Sequence, residues 1–383
     1  MKGVHAVSER QAIVTAKLHH RRPARWKSLR FVPLAIGATA LAVGLWTGFA
    51  RLGVMLPGGI PQIADRHGAL MVCGFFGTLI SLERAVALGR PFAYAAPAFS
   101  AIGVLTLLGG LELVSIVAFL TAGLVLAVAS VVILRRQFAL YTLILAIASS
   151  SWAIGTFAWL AGRPMAEATG WWLAFLVLTI AAERLELSRV ILPPRIAQVI
   201  FAVAAALVLT GVARGELVSQ SAPVLGIGFI ACAAWLLVYD LARRTVRLTG
   251  QIRFAAVCML AGHCWLAVAG VQLLVRPLAL AVSWYDGVVH AVTIGFALSM
   301  VFGHALIILP AVTGFPLRYT SLAYVPLTLL QLSVAMRVAA DFPGWTELRA
   351  ASAILTVVAL AGYAVTLTIA SIAAPAQPRP QSG

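Results

Sequence analysis

The chain has 383 residues, of which 62% are apolar and only 10% are charged. Soluble domains carry about 25% charged residues, so the composition excludes a soluble domain, a disordered chain and a fibrous protein. Lys and Arg outnumber Asp and Glu by 28 to 12, which gives a net charge of +16. The basic residues lie almost entirely between apolar segments, so membrane topology explains them and nucleic-acid binding is not expected. The sequence predicts an all-α polytopic membrane protein.

The first 30 residues are polar and basic, and no apolar segment begins before Phe31. The segment that follows is long enough to remain in the bilayer as a span, so a plain signal peptide is not expected. Residues 1–30 are predicted to form a basic cytoplasmic tail near anionic lipid headgroups, with a transit peptide as the alternative. Residues 374–383 are predicted to form a second, short cytoplasmic tail.

Residues 31–373 contain segments of about 20 apolar residues, the length that crosses a hydrocarbon core of about 30 Å. Turn residues such as Arg90-Pro91 and Pro193-Pro194 separate these segments. The twelve predicted spans are 31–50, 67–88, 92–110, 112–134, 138–161, 169–190, 195–213, 222–242, 253–275, 283–309, 320–339 and 349–373.

The distribution of positive charge supports this count. With the first 30 residues placed in the cytoplasm, 21 basic residues lie on the cytoplasmic side and seven lie outside, as the positive-inside rule requires. A missed span would invert every later loop and remove this asymmetry. The prediction is therefore twelve transmembrane helices with both termini in the cytoplasm.

A weak repeat relates the second, sixth and tenth spans, in each of which a Phe is followed eight residues later by an ionisable residue. The three pairs are Phe75 with Glu83, Phe175 with Glu183, and Phe296 with His304. These spans occupy equivalent positions if the chain consists of three units of four helices. The predicted units are about 31–136, 137–248 and 249–373.

Two histidines are placed at one depth of the predicted bundle. An ionisable residue inside a bilayer costs about 2.5–3.5 kcal/mol, so each one needs an explanation. His67 opens the second span two residues after Asp65, and His290 lies four residues after Asp286. If both aspartates mark the headgroup level, the imidazoles lie within about 3 Å of the same depth. Two facing histidines are the axial ligands of a b-type haem; the alternative is a pair of polar helix ends that form interhelical hydrogen bonds.

The other candidate metal ligands lie elsewhere in the spans. His263 is about 20 Å below the outer face, too deep for the level of His67 and His290. It is interpreted as an interhelical hydrogen-bonding residue or as a further metal ligand or haem contact. Packing explains Cys258, Cys264 and Met71 better than copper ligation does. The four cysteines form no CxxC motif, so disulfides and covalently attached haem are not expected.

A group of ionisable residues is predicted in the cytoplasmic half of the bundle. Its members, called the ionic cluster below, are Glu83, Arg84, Glu183, Arg184, Glu186 and His304. Fourteen residues separate His304 from His290, about 21 Å of helix, so the two cannot share a metal ion. The cluster is interpreted as a structural network with snorkelling arginines, or as a proton-handling site. The second interpretation gives the alternative function, a proton-coupled small-solute or ion transporter.

Two motifs resemble those of a known family. The segment HGALMVCGF, which begins at His67, resembles the opening motif of the NnrS family, and HAVTIG, which begins at His290, resembles its later histidine motif. NnrS-like proteins are twelve-span proteins of the bacterial inner membrane, linked to haem, to copper and to resistance against nitric oxide stress. The resemblance implies the same localisation here and implies that His67, His290 and Met71 bind the cofactor, the two histidines as axial ligands.

The NnrS family is similar in plan to the main subunit of haem–copper oxidases, whose helices form three units of four and whose second and tenth spans bind the low-spin haem. The oxidase copper site also needs histidines in spans six and seven, and 169–190 and 195–213 contain none. After Phe75 the chain departs from the usual family pattern and runs towards Glu83. It is therefore assigned to a divergent branch without an oxygen-reducing centre.

The expected function is that of an NnrS-like protein that binds haem b and contributes to nitric oxide or redox stress tolerance. Nitric oxide or another small gas is the expected small-molecule partner, copper is the second candidate cofactor, and a homodimer is compatible with the sequence. No catalytic residue is assigned, and the sequence does not favour an enzyme.

Overall fold

The computed structural model describes residues 30–54, 61–275, 281–340 and 345–373. Apart from Arg30, both predicted tails lie outside these residues. Within them every regular element is a helix, which confirms the predicted all-α class.

Eleven helices in the described part of the chain are long and apolar enough to cross a membrane. They are numbered here together with one shorter apolar helix. The twelve are α1 (Phe31–Arg51), α2 (Ala64–Leu88), α3 (Pro91–Leu108), α4 (Glu112–Arg136), α5 (Leu140–Leu160), α6 (Met165–Ile191), α7 (Arg195–Ala213), α8 (Pro223–Tyr239), α9 (Gly250–Leu274), α10 (Trp284–Thr313), α11 (Ser321–Ala339) and α12 (Thr346–Ile372).

The short helix is α8, at the position of the eighth predicted span. It has 17 residues where the sequence predicted a span over 222–242. The helix ends because Asp240 adopts an extended conformation, with φ −71° and ψ 141°. The chain then passes through the short helix Ala242–Thr245 before α9 begins. By length the described residues thus hold eleven membrane-spanning candidates, one fewer than predicted.

Three helices form the centre of the bundle. Consecutive helices pack against one another along the chain, α12 also contacts α1, and α10 contacts α2, α6, α9 and α11. In α2, α6 and α10 the buried share of the most apolar stretch is 67%, 72% and 67%, against 22–61% in the other described helices of membrane length. The central helices are therefore those that carry the Phe–ionisable repeat.

The link between α3 and α4 is a short chain reversal. It consists of Gly109, Gly110 and Leu111. Gly110 has φ +77°, a left-handed conformation that only glycine adopts at little cost. The predicted boundary at the two glycines is thus where the chain turns.

Candidate functional site

His67 of α2 and His290 of α10 lie side by side at the end of the bundle where both helices begin. Their ring centroids are 6.4 Å apart and the ring planes differ by 22°. Both line one cavity of about 370 Å³, called the histidine cavity below, and this size falls in the range of small-molecule sites. The structure therefore brings together two residues that are 223 positions apart (290 − 67) in the sequence.

Hydrogen bonds to carbonyl oxygens fix the orientation of both rings. The Nδ1 atom of His67 lies 2.6 Å from the Gly44 carbonyl oxygen, and that of His290 lies 2.7 Å from the Asp286 carbonyl oxygen. A carbonyl oxygen only accepts, so each Nδ1 carries a hydrogen and donates it. In a neutral imidazole this leaves the lone pair on Nε2, the arrangement that metal-ligating histidines use.

A partly buried ion cluster lies on the Nδ1 side of the His290 ring. The Asp286 carboxylate accepts from Arg337 Nε at 2.7 Å and Nη2 at 3.2 Å, and from Arg349 Nη2 at 2.8 Å. One of its oxygens also lies 3.4 Å from His290 Nδ1. Two guanidinium groups against one carboxylate leave an excess of positive charge at the wall of the histidine cavity. Such a wall attracts an anionic ligand group.

Both histidines precede a π-helical stretch. Leu70–Phe76 follows His67 in α2, and Ala291–Leu298 follows His290 in α10. A π-helix is rare and occurs most often at functional sites, because its wider turn re-aims the side chains around it. The two central helices thus share the same irregularity at the same place relative to the histidine.

Gly295, inside the second π-helical stretch, permits close contact between α10 and α9. A Cβ atom at this position would lie 2.5 Å from Trp265 Cγ and 2.6 Å from Trp265 Cβ. We expect Gly295→Ala to lower the free energy of unfolding by about 1–3 kcal/mol, as overpacking of a rigid contact does. Thermal unfolding in detergent measures this.

Gly362 of α12 provides the matched control, because an added Cβ there would meet its nearest neighbour at 3.6 Å, an ordinary contact. We expect Gly362→Ala to leave the stability unchanged or raise it by up to about 1 kcal/mol, the helix propensity gain of Ala over Gly. Equal destabilisation by the two substitutions would contradict this account of Gly295.

Met71 and His263 occupy different environments. Met71 is buried and lines the histidine cavity, and its Sδ atom would lie 2.6 Å from a Cβ added at Gly44. His263 is fully buried beside Asp240 and does not line the histidine cavity. The structure therefore excludes one of the roles considered for His263, that of a ligand to the same metal ion as His67 and His290.

The ionic cluster assembles at the opposite end of the central helices. Arg84 of α2 forms an ion pair with Glu183 of α6. Arg184, the next residue of α6, places Nη2 3.0 Å from His304 Nε2. A guanidinium only donates, so His304 Nε2 accepts, and its Nδ1 donates to the Met300 carbonyl oxygen at 2.7 Å.

These contacts make His304 neutral and connect the three central helices. Glu186, one turn after Glu183, is exposed and lines a groove with Tyr141 and Arg189 instead. The structure therefore joins four of the six predicted members directly, as two pairs. Glu83 lies within electrostatic range of Glu183, Arg84 and Arg184, and Glu186 lies at the rim.

A family model described as a domain of unknown function (DUF8744) matches residues 30–372. The chain belongs to the DUF8744 family. No curated protein and no solved structure matches it. The matched region extends across α1–α12 and therefore contains both the histidine cavity and the ionic cluster of this chain.

Sequence reasoning missed three residues of the DUF8744 site. Asp286 was used only to mark a depth, and Arg337 and Arg349 were counted only as positive charges on the outer side of the membrane. All three lie at the same end of the bundle: Asp286 near the start of α10, Arg337 near the end of α11 and Arg349 near the start of α12. Their shared depth in the membrane could have indicated from the sequence that they lie close together. Among the described residues no three His, Cys, Asp or Glu side chains converge as a metal site.

Proposed function

We propose that this chain is an NnrS-like haem-binding protein of the bacterial inner membrane that contributes to nitric oxide or redox stress tolerance. His67 and His290 would hold the cofactor in the histidine cavity through their Nε2 atoms. Haem b supplies redox chemistry and an affinity for small gases; the chain's own residues orient the ligands and set the charge around the site.

The observation that carries the proposal is the spacing of the two rings. A metal–nitrogen bond of about 2.0 Å plus about 1.1 Å from nitrogen to ring centre, taken twice, gives about 6 Å between the centres of two imidazoles on opposite sides of one metal ion. The observed separation is 6.4 Å. Both rings also have Nδ1 engaged by a backbone carbonyl, which leaves Nε2 for the metal.

The surroundings fit a porphyrin with two carboxylate side chains. Apolar side chains such as Phe49, Val72 and Ile294 line the histidine cavity, and Arg337 and Arg349 add positive charge on one side. The thioether of Met71 lines the same cavity. Since thioether and imidazole groups bind Cu(I) well, copper is the alternative occupant.

The membrane arrangement proposed here has twelve spans, in three units of four, with both termini in the cytoplasm. At 17 residues, α8 is at the lower limit of a transmembrane helix, and the 21 to 7 distribution of basic residues, which follows when α8 crosses, supports the crossing. The central position of α2, α6 and α10, one from each unit, supports the threefold plan.

The oxygen-reducing reaction of haem–copper oxidases is not part of the proposal, because α6 and α7 contain no histidine. The proposed activity is therefore the binding of nitric oxide or the transfer of electrons. A transporter is not favoured, since Arg84, Glu183, Arg184 and His304 all have partners in the ionic cluster, as in a structural network.

Haem content tests the proposal. The protein is produced with an adequate haem supply, purified in detergent and assayed for haem b, iron and copper per chain. We expect one haem b per chain and a Soret band that shifts when the protein is reduced. A preparation with no Soret band contradicts the proposal, and copper without iron assigns the site to the alternative metal.

The structural role of the ionic cluster gives a separate prediction. Glu183→Gln keeps a hydrogen-bond acceptor for Arg84 but removes the charge, so we expect the free energy of unfolding to fall by about 1–2 kcal/mol, the difference between a charged and a neutral partner. The haem content should not change. Proton-driven solute uptake in liposomes that is lost in Glu183→Gln would instead establish the transporter.

A further inference from the structure

Asp240 and His263 form a buried pair that the proposed function does not use. Neither side chain has any exposed surface, and His263 Nε2 lies 3.4 Å from Asp240 Oδ2, which is long for a hydrogen bond. The other carboxylate oxygen, Oδ1, accepts from the Ala242 backbone N–H at 2.9 Å. Asp240 is thus anchored by the short helix that follows it, with its second oxygen turned to the imidazole.

The pair lies inside the bundle, at the break in the chain after α8. Close backbone approach fixes how α8 lies along α9: a Cβ at Gly226 would be 2.9 Å from the Gly270 carbonyl oxygen. His263 follows the first residue of α9, Gly250, by 13 positions, which is about 20 Å of helix. Irregular backbone at such a depth occurs in membrane proteins where it lines a cavity or an ion-binding site.

Three polar atoms of this pair lack a hydrogen-bond partner in the described part of the chain. Among the described residues, Asp240 Oδ2 and both ring nitrogens of His263 have no hydrogen-bond partner. A buried carboxylate with one hydrogen bond is costly when ionised, and so is a buried imidazole with none. Each of these costs falls if a hydrogen is placed between the two groups.

Two neighbouring helices face the pair. From α6, Arg184 acts electrostatically on both side chains; its guanidinium contacts Met259 Sδ at 3.1 Å, one turn before His263, and also His304. From α10, the ring of Phe296 lies 6.3 Å from the imidazole. The nearby charge is therefore a single guanidinium, which repels a second proton.

We propose that Asp240 and His263 together bind one proton and form an intramembrane proton-binding site, separate from the histidine cavity. The proton is taken from water and returned to it, and it forms an O–H···N or an N–H···O bond across the 3.4 Å contact. With one proton the pair is neutral overall. Without it the pair carries a net negative charge, and the ionised carboxylate has the Ala242 N–H and at most one imidazole N–H as donors.

The proposal does not depend on a cofactor at the other end of the bundle. It therefore stands or fails independently of haem binding.

Spectroscopy on the full-length protein in detergent locates the proton. At pH 7 we expect either a carboxylic acid C=O band in the infrared spectrum that disappears in Asp240→Asn, or a ¹⁵N imidazolium signal that disappears in His263→Gln. Asp240→Asn keeps the Oδ1 acceptor for Ala242, so the fold should persist. Asp65→Asn is the matched control, because the Asp65 side chain is 85% exposed; it should alter neither signal.

The pH dependence of stability is the second measurement. In an unfolded chain at pH above about 6.5 the histidine loses its proton, whereas the folded pair retains one. The stabilisation is therefore present below about pH 6.5 and is lost as pH rises through the pKa of the pair. We expect the thermal midpoint to fall over this range in wild type and in Asp65→Asn, but not in Asp240→Asn. An ionised carboxylate with a neutral imidazole at pH 7, or the same pH slope in all three proteins, would overturn the proposal.

Discussion

His67→Ala and His290→Ala are each expected to convert a six-coordinate haem into a weakly held five-coordinate one. Each substitution removes one Nε2 donor from the histidine cavity, and no other imidazole among the described residues lines that cavity. Loss of a mere supporting group typically costs 10–100-fold in affinity, so we expect haem retention to fall by more than about 10-fold. The measurement is haem per chain, with the absorption spectrum reporting the coordination state.

His304→Gln is the matched control for these two variants. His304 is also a histidine of α10, but it binds Arg184 at the other end of the helix and does not line the histidine cavity. It should retain a full complement of haem. Unchanged haem content and spectrum in both His67→Ala and His290→Ala would show that the two histidines are not the ligands.

Asp286→Ala is expected to cause the largest loss of stability of the substitutions considered. It removes the carboxylate that Arg337 and Arg349 share, so two guanidinium groups remain in the bundle without it. Breaking a fully buried pair costs roughly 3–5 kcal/mol. The Asp286 side chain is 24% exposed, so we expect the free energy of unfolding to fall by about 2–4 kcal/mol. Thermal or denaturant unfolding in detergent measures this loss.

A second variant separates lost charge pairing from lost packing. Asp286→Ala combined with Arg337→Met removes one of the uncompensated cations and should recover part of the stability. Asp65→Ala is the comparison at an exposed site, where the carboxylate lies 3.7 Å from Arg51 and is 85% exposed; such pairs contribute at most about 1 kcal/mol. Equal losses in Asp286→Ala and Asp65→Ala would contradict the importance of the buried cluster.

Helical rise explains how the sequence could indicate the main features of the site. A membrane helix is a nearly straight rod across a layer of fixed thickness, so counting residues from a charged end gives a depth. This reasoning placed His67 level with His290, and Glu183 level with His304. In the structure the first two rings line one cavity, and Arg184, next to Glu183, contacts His304.

The features that the sequence did not indicate depend on lateral packing. Depth alone does not tell which helices are neighbours, so the convergence of Arg337 and Arg349 on Asp286 was not foreseen. The π-helical stretches leave no hydrophobic pattern of their own. Asp240 was included in a continuous span, because nothing local shows that its carboxylate turns inwards to His263 instead of ending the helix at the membrane surface.

The proposed function requires His67 and His290 to bind one iron atom. Electron paramagnetic resonance of the oxidised protein, purified with a full haem supply, tests it most directly, because low-spin ferric haem with two imidazole ligands has a characteristic spectrum. We expect that low-spin signal in wild type and its replacement by a high-spin signal in His67→Ala and His290→Ala. A high-spin haem in wild type, or a low-spin signal that survives both substitutions, would contradict it.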